Sequence, residues 1–183
     1  MMYEIKETQI KGLVEIIPKI FNDVRGTSIK PFHSEEFARL GFCNVFNEDL
    51  LVVSGKGVLR GLHYQNPPYA QAKLVYCISG SILDVVLDIR AGSPTYGRYE
   101  TFCLSGKMHN MLYIPEGFAH GYLALEDNSI VMYKMSNVYA PEFEGGIRWD
   151  SIGVDWGVEN PIISERDKGF LPFSQFKSEF IYK

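Results

Sequence analysis

The chain has no Cys-x-x-Cys pair and no His-x-His pair, no long apolar run, no excess of positive charge and little helical periodicity. Each absence removes a class of protein. Three cysteines, Cys43, Cys77 and Cys103, cannot all pair and lack metal-ligand spacing, which fits a reducing compartment better than a disulfide scaffold. We read them as small buried apolar residues. A formal net charge of -4 argues against a nucleic-acid partner, so any phosphate contact must come from a few placed Arg and Lys side chains. No segment reaches the ~20 apolar residues of a membrane span. The opening MMYEIKETQIKG carries charges where a signal peptide needs an apolar run, which predicts a cytoplasmic address and no membrane contact. His33, His63, His109 and His120 stand apart in sequence, whereas metal-holding β-barrels bring several ligands together, commonly from an H-x-H pair. No metal site is expected.

What the chain has instead is strand. Hydrophobic residues fill 46% of 183 positions and charged residues 22%, the balance of a single globular domain spanning residues 1–183. Short β-branched and aromatic runs, LVEIIP, NVFNEDLLVV, KLVYCIS, SILDVVLDI, YETFCLS, MLYIP, GYLALE and SIVMYKMS, are punctuated by Gly, Pro, Asn and Asp. Many short antiparallel strands without an internal repeat predict an all-β jelly-roll β-barrel rather than a propeller or solenoid. A few short helices fit alongside. SEEFARLG reads as one, with Ser34 as its cap and Gly41 as its stop. Residues 164–183 show no period and are expected to pack as an irregular C-terminal segment.

His63, in GVLRGLHYQ, can be a core imidazole, a metal ligand or a proton-transfer group, and the missing metal spacing shifts weight to the last. Lys73 strengthens that reading, because a cation opening the apolar strand KLVYCIS is costly to bury unless it is paired or meets a developing negative charge. Arg60 poses the same problem in VLRGLH, and a phosphate or carboxylate partner would resolve it. Pleating puts residues 60 and 63 on opposite faces unless Gly61 marks a bulge that re-aims one of them. His120 and Tyr122 share one face by period two. So do Val131, Tyr133 and Met135, which lets the Tyr133 phenol enter the interior that holds His63. Asp167 of ISERDKG could orient an imidazole, although a solvated loop is the commoner place for such an aspartate.

Together DVRG at 23–26, KGVLRGLHYQNPP, QAKLV, DVVLDIRAGSPTYG, IPEGFAHGYLALED, YKMSNVY, VDW and ISERD resemble the nucleotide-sugar 3,5-epimerase family typified by dTDP-4-dehydrorhamnose 3,5-epimerase, a metal-free branch of the cupin jelly rolls. The resemblance implies a cofactor-independent isomerase acting on a nucleotide-diphosphate-linked 4-keto sugar, in deoxysugar biosynthesis for surface polysaccharide. It implies His63 as general base, Asp167 as the carboxylate paired with it, Lys73 near the enolate oxygen and Tyr133 as the acid on the other face of the ring. It also implies Arg25 and Arg60 near the diphosphate, His120 lining the sugar pocket, Tyr139 nearby and Arg90 as mainly structural. A homodimer with exchanged N-terminal strands follows from the same resemblance, and such exchange would remove an exposed sheet edge.

The pattern departs where the family handles its nucleotide. After DxRG the family carries x-Phe-x-Glu-x-Phe, whereas this chain reads Thr27, Ser28, Ile29, Lys30, Pro31 and Phe32. Family Gln and Asn positions become Glu48 and Leu50, and a hydroxyl position becomes Val52. Losing a stacking ring and exchanging an acceptor for a cation each change base affinity by about 1 kcal/mol or more. Lys30 and Glu48 are therefore expected to contact the substrate, with GDP or CDP rather than only dTDP as carrier of a hexose or heptose. The same residues serve 3,5-, C3-only and C5-only epimerases. A catalytically silent sugar-nucleotide-binding cupin is the reading from a different class.

Overall fold

A computed structural model describes residues 2–182, and its strands fall mainly into two antiparallel sheets. The first runs in the order β1 (Tyr3–Glu7), β2 (Val14–Pro18), β10 (Met111–Ile114), β7 (Lys73–Ser79), β12 (Ser129–Met135) and β5 (Glu48–Ser54). The second runs β13 (Glu144–Gly146), β6 (Leu59–Gln65), β11 (Phe118–Ala124), β8 (Ser81–Asp88) and β9 (Tyr99–Ser105). A separate hairpin, β3 (Ile20–Asp23) with β4 (Gly26–Ile29), pairs only with itself and is almost wholly exposed. The all-β architecture expected from the strand rhythm is present. Its sheets face each other without closing into a continuous barrel.

Three apolar clusters explain why the strands read as they do. Between the sheets Val75, Cys77, Leu112, Val131 and Tyr133 of the first meet Ile82, Val86, Leu104 and Tyr122 of the second. On the outer face of the second sheet Leu59, Leu62, Val85, Leu87 and Ala119 pack under Ile147, Trp156 and Phe180 from the C-terminal region. On the outer face of the first, Val14, Leu74, Met111 and Tyr113 pack under Phe37. Strands β8 and β11 are thus covered on both faces and read as near-continuous apolar runs. β12 alternates buried with half-buried residues, with Val131, Tyr133 and Met135 turned inward as period two requires.

Phe37 belongs to α1 (Ser34–Arg39), and here one expectation is corrected. Ser34 lies in the first turn, not at the cap; His33 occupies the cap in extended conformation and makes no side-chain bond there. Gly41 does end the helix at φ +76°: its N–H reaches the Ala38 carbonyl while the Phe42 N–H reaches that of Phe37, the paired bonds of a glycine-terminated helix. The cysteine expectation holds only for Cys77, since Cys43 is half-buried and Cys103 exposed. Beyond α2 (Glu165–Lys168) the C-terminal segment is largely irregular, as expected, and Ile181 bridges to Ala91. Among the described residues no helix is long and apolar enough to cross a membrane.

Candidate active site

A cavity of about 150 Å³ opens between the sheets, with walls of Arg60, His63 and Gln65 from β6, His120 from β11, Lys73 from β7, Tyr133 and Met135 from β12, and Tyr139 and Glu144 at its mouth. Arg60 and His63 reach the same cavity although three positions separate them. The register explains it: His63 pairs with His120 and Arg60 with Tyr122, so β6 spends three steps where β11 spends two. The extra residue is accommodated at Gly61, at φ +107°, where a Cβ would lie 2.7 Å from the His120 carbonyl oxygen. A bulge thus turns two odd-spaced side chains to one face.

His63 Nε2 lies 2.9 Å from Asp167 Oδ1, and a carboxylate only accepts, so Nε2 donates in this bond and the neutral ring keeps its lone pair on Nδ1; the Arg166 guanidinium, 3.1 Å from the same nitrogen, is itself held by Glu144 and Asp167. Asp167 is fixed by the Gly61 N–H at 3.0 Å on its other oxygen and by α2, whose Ser164 cap receives the Asp167 N–H. Burial pushes the Asp167 carboxyl up, but the His63 hydrogen bond and attraction, with the Gly61 and Ser164 bonds, overcome this and hold it well below the usual range. Asp167 is therefore a buried helical residue, not a solvated one. The Phe170 ring packs edge-to-face with the His63 imidazole at 5.7 Å between centroids. Gly146 leaves room for that ring, because a Cβ there would run into it.

Lys73 is 9% exposed, and no acceptor among the described residues bonds its ammonium. Burial pushes its pKa down to about 8, against weaker opposing attraction from Glu144 and Asp84. Burial likewise pushes the Tyr133 phenol well above 10.0. Tyr133 stands edge-on to His120 at 5.7 Å between centroids. His120 Nε2 is bonded to Asp84 Oδ2 at 2.8 Å.

The mouth is a hydrogen-bonded belt. Glu48 accepts from the Tyr139 N–H at 2.8 Å, the Tyr139 hydroxyl donates to Glu144 at 2.8 Å, and Arg166 donates to Glu144 at 2.7 Å while lying 3.1 Å from His63 Nε2. Arg60 and Arg166 also line an adjoining groove of about 470 Å³ that shares His63 with the cavity. Arg90 takes no part: it clasps Asp88 and stacks on Phe118 and Tyr182, the structural role expected for it.

Of the residues singled out from sequence, His63, Asp167, Lys73, Tyr133, Arg60, His120, Tyr139 and Glu48 come together. Arg25 and Lys30 do not. Both are exposed, outside this cavity, with Arg25 on the β3–β4 hairpin bound to Asp23. Asp84, Glu144, Arg166 and Phe170 were not foreseen; an acid inside the apolar run SILDVVLDI was the available signal for Asp84. Among the described residues no three His, Cys, Asp or Glu side chains cluster as a metal would require.

A carboxylate-oriented imidazole, a desolvated ammonium and a buried phenol in one small cavity are equipment for moving protons on carbon, the work of an isomerase. Comparison gives the class its particulars. Residues 7–175 match the family profile described as dTDP-4-dehydrorhamnose 3,5-epimerase. A Shigella flexneri dTDP-4-dehydrorhamnose 3,5-epimerase is 43% identical over 164 residues, 88% of this chain and 91% of that protein. The Legionella pneumophila dTDP-6-deoxy-D-glucose-3,5-epimerase, solved with dTDP-4-keto-L-rhamnose, superposes with a TM-score of 0.94 at 36% identity and 99% coverage of both chains. ChmJ of Streptomyces bikiniensis, a 3'-monoepimerase solved with dTDP-quinovose, gives 0.87 at 33% identity, covering 91% of this chain and 86% of its own. The chain belongs to the dTDP-4-dehydrorhamnose 3,5-epimerase family and is an epimerase.

Proposed function

We propose that the enzyme inverts C3, C5 or both in a nucleotide-diphosphate-linked 4-keto deoxysugar, for deoxysugar and surface-polysaccharide synthesis. The 4-keto group acidifies both neighbouring C–H bonds. His63 Nδ1 removes a proton, the electron pair moves into the carbonyl as an enolate, and Tyr133 returns a proton from the opposite face. The substrate's own carbonyl is the electron sink. The observation that carries this reading is Lys73: a buried ammonium with no acceptor among the described residues, in a cavity that also holds an imidazole lone pair, suits an oxygen that becomes negative during reaction.

The cavity is smaller than the roughly 300–1,000 Å³ typical of drug-sized ligands, which suits the sugar alone and leaves the nucleotide to the mouth and groove. There Glu48 sits beside Tyr139 and Leu50 lies opposite Tyr133 on the edge strand β5. An acid and an apolar side chain at this edge support a GDP- or CDP-linked hexose or heptose over dTDP alone. The exposed β3–β4 hairpin, with Phe21 and Val24 bare, supports a homodimer in which this N-terminal hairpin reaches a second copy and brings Arg25 and Lys30 to that copy's substrate.

The deciding experiment is incubation in D2O with dTDP-, GDP- and CDP-linked 4-keto-6-deoxyglucose and a GDP-linked 4-keto heptose, with deuterium located by NMR and mass. Exchange at both centres defines a 3,5-epimerase, and exchange at one defines a monoepimerase. No exchange with any of them overturns the reading in favour of a sugar-nucleotide-binding protein.

A further inference from the structure

Strand β8 buries two acids in an otherwise apolar sequence, and they are treated differently. Asp88 is saturated by the Arg90 guanidinium and backbone N–H, Ser93 and Thr95, as a structural corner would be. Asp84 has only the His120 bond on Oδ2; its Oδ1 is shut from solvent with no donor among the described residues. A half-satisfied buried carboxylate is expensive, and an apolar residue would serve packing better. Packing alone gives no reason for an acid here, and its one bonded partner, His120, lines the cavity.

Because a carboxylate only accepts, the 2.8 Å contact places the His120 proton on Nε2. In the neutral ring Nδ1 is then an acceptor, and no donor among the described residues bonds it. His120 pairs in register with His63, so the two imidazoles stand as neighbours on adjacent strands of one cavity. One removes a proton from a reacting carbon. The other, held as an acceptor, suits a hydroxyl that stays in place throughout the reaction. In a 4-keto-6-deoxyhexose the ring hydroxyls are on C2 and C3, and only the one on C2 lies on a carbon that neither epimerisation inverts.

We propose that Asp84 is a positioning residue that locks His120 with Nδ1 as an acceptor for the substrate's C2 hydroxyl, which makes the enzyme selective for 2-hydroxy over 2-deoxy 4-keto sugars. This rests on the function proposed above. A site whose buried acceptor loses its donor discriminates strongly, so kcat/KM for 4-keto-6-deoxyglucose should exceed that for its 2-deoxy counterpart by about 100-fold or more. Both sugars are to be assayed on dTDP, GDP and CDP. In D84A and H120F the preference should collapse to within about tenfold, mainly through the 2-hydroxy substrate, a change in selectivity that general structural damage would not produce. The ¹⁵N spectrum of His120 in the wild-type enzyme should show Nδ1 as the unprotonated nitrogen. Equal efficiency on the two sugars, or an Nδ1–H tautomer, would overturn the inference while leaving the epimerase intact, and needs no variant to fold. Turnover of neither sugar on any carrier would remove the proposed function and this inference together.

Discussion

At the floor of the pocket Lys73, Tyr133 and His120, with Asp84 behind it, are withdrawn from water, whereas at the mouth Tyr139 is 51% exposed and Arg166 reaches Glu144 across the opening. The floor gains reactivity from burial: an ammonium or phenol without solvent has no competing partner and responds strongly to charge appearing on the substrate. The mouth works through hydrogen bonds among groups that water also reaches, each individually weak. Chemistry and recognition are thereby separated in depth. Floor residues should govern kcat, and mouth residues should govern KM.

The largest effect should come from His63→Ala, with kcat down by about 10³-fold and deuterium wash-in lost in parallel. A KM change without a kcat change would place the base elsewhere. Next is Lys73→Met, expected to lower kcat by about 10²-fold while raising the melting temperature. The sign follows from the depressed pKa: the folded state disfavours the ammonium, so the penalty is fully present below about 8 and fades as pH rises towards 10.5. From 10.5 to about 8 this penalty is roughly 3 kcal/mol. Wild-type stability should therefore rise with pH between those values as activity falls through about 8, and K73M should lose that slope in denaturant titrations followed across pH. At the mouth, Tyr139→Ala should raise KM about fivefold with kcat nearly unchanged, as expected for an exposed aromatic contact. Arg166→Gln should be smallest in free energy, within about threefold in kcat/KM, with the loss shrinking in high salt because its partners are partly solvated. A large kcat loss at Tyr139 would erase the division between floor and mouth.

The sequence made the floor more legible than the mouth. Period two in SIVMYKMS turned Tyr133 inward without any tertiary knowledge, and Lys73 was conspicuous because an ammonium opens an apolar strand. Asp84 escaped notice because its meaning depends on β8 pairing with β11, which sets it beside a histidine 36 positions away. The burial of Asp167 was equally hidden: a four-residue helix is too short for a periodic signal, and only its approach to β6 brings it to Gly61 and His63. Ser34 misled for a local reason, since a hydroxyl before an amphipathic stretch is a good cap, yet the chain enters the helix one residue earlier. Glu144 and Arg166 lie 22 positions apart with mostly irregular chain between them, where neither spacing nor period carries information.

Gly61 has one more consequence. At this point β6 and β11 touch main chain to main chain, with any Cβ on residue 61 brought 2.7 Å from both the His120 carbonyl oxygen and the Gly121 Cα. The separation of the two imidazoles is therefore set by backbone contact and is a dimension of the frame, like the gauge of a track. A laboratory search for new substrates should therefore leave residues 61 and 121 alone and begin at the mouth.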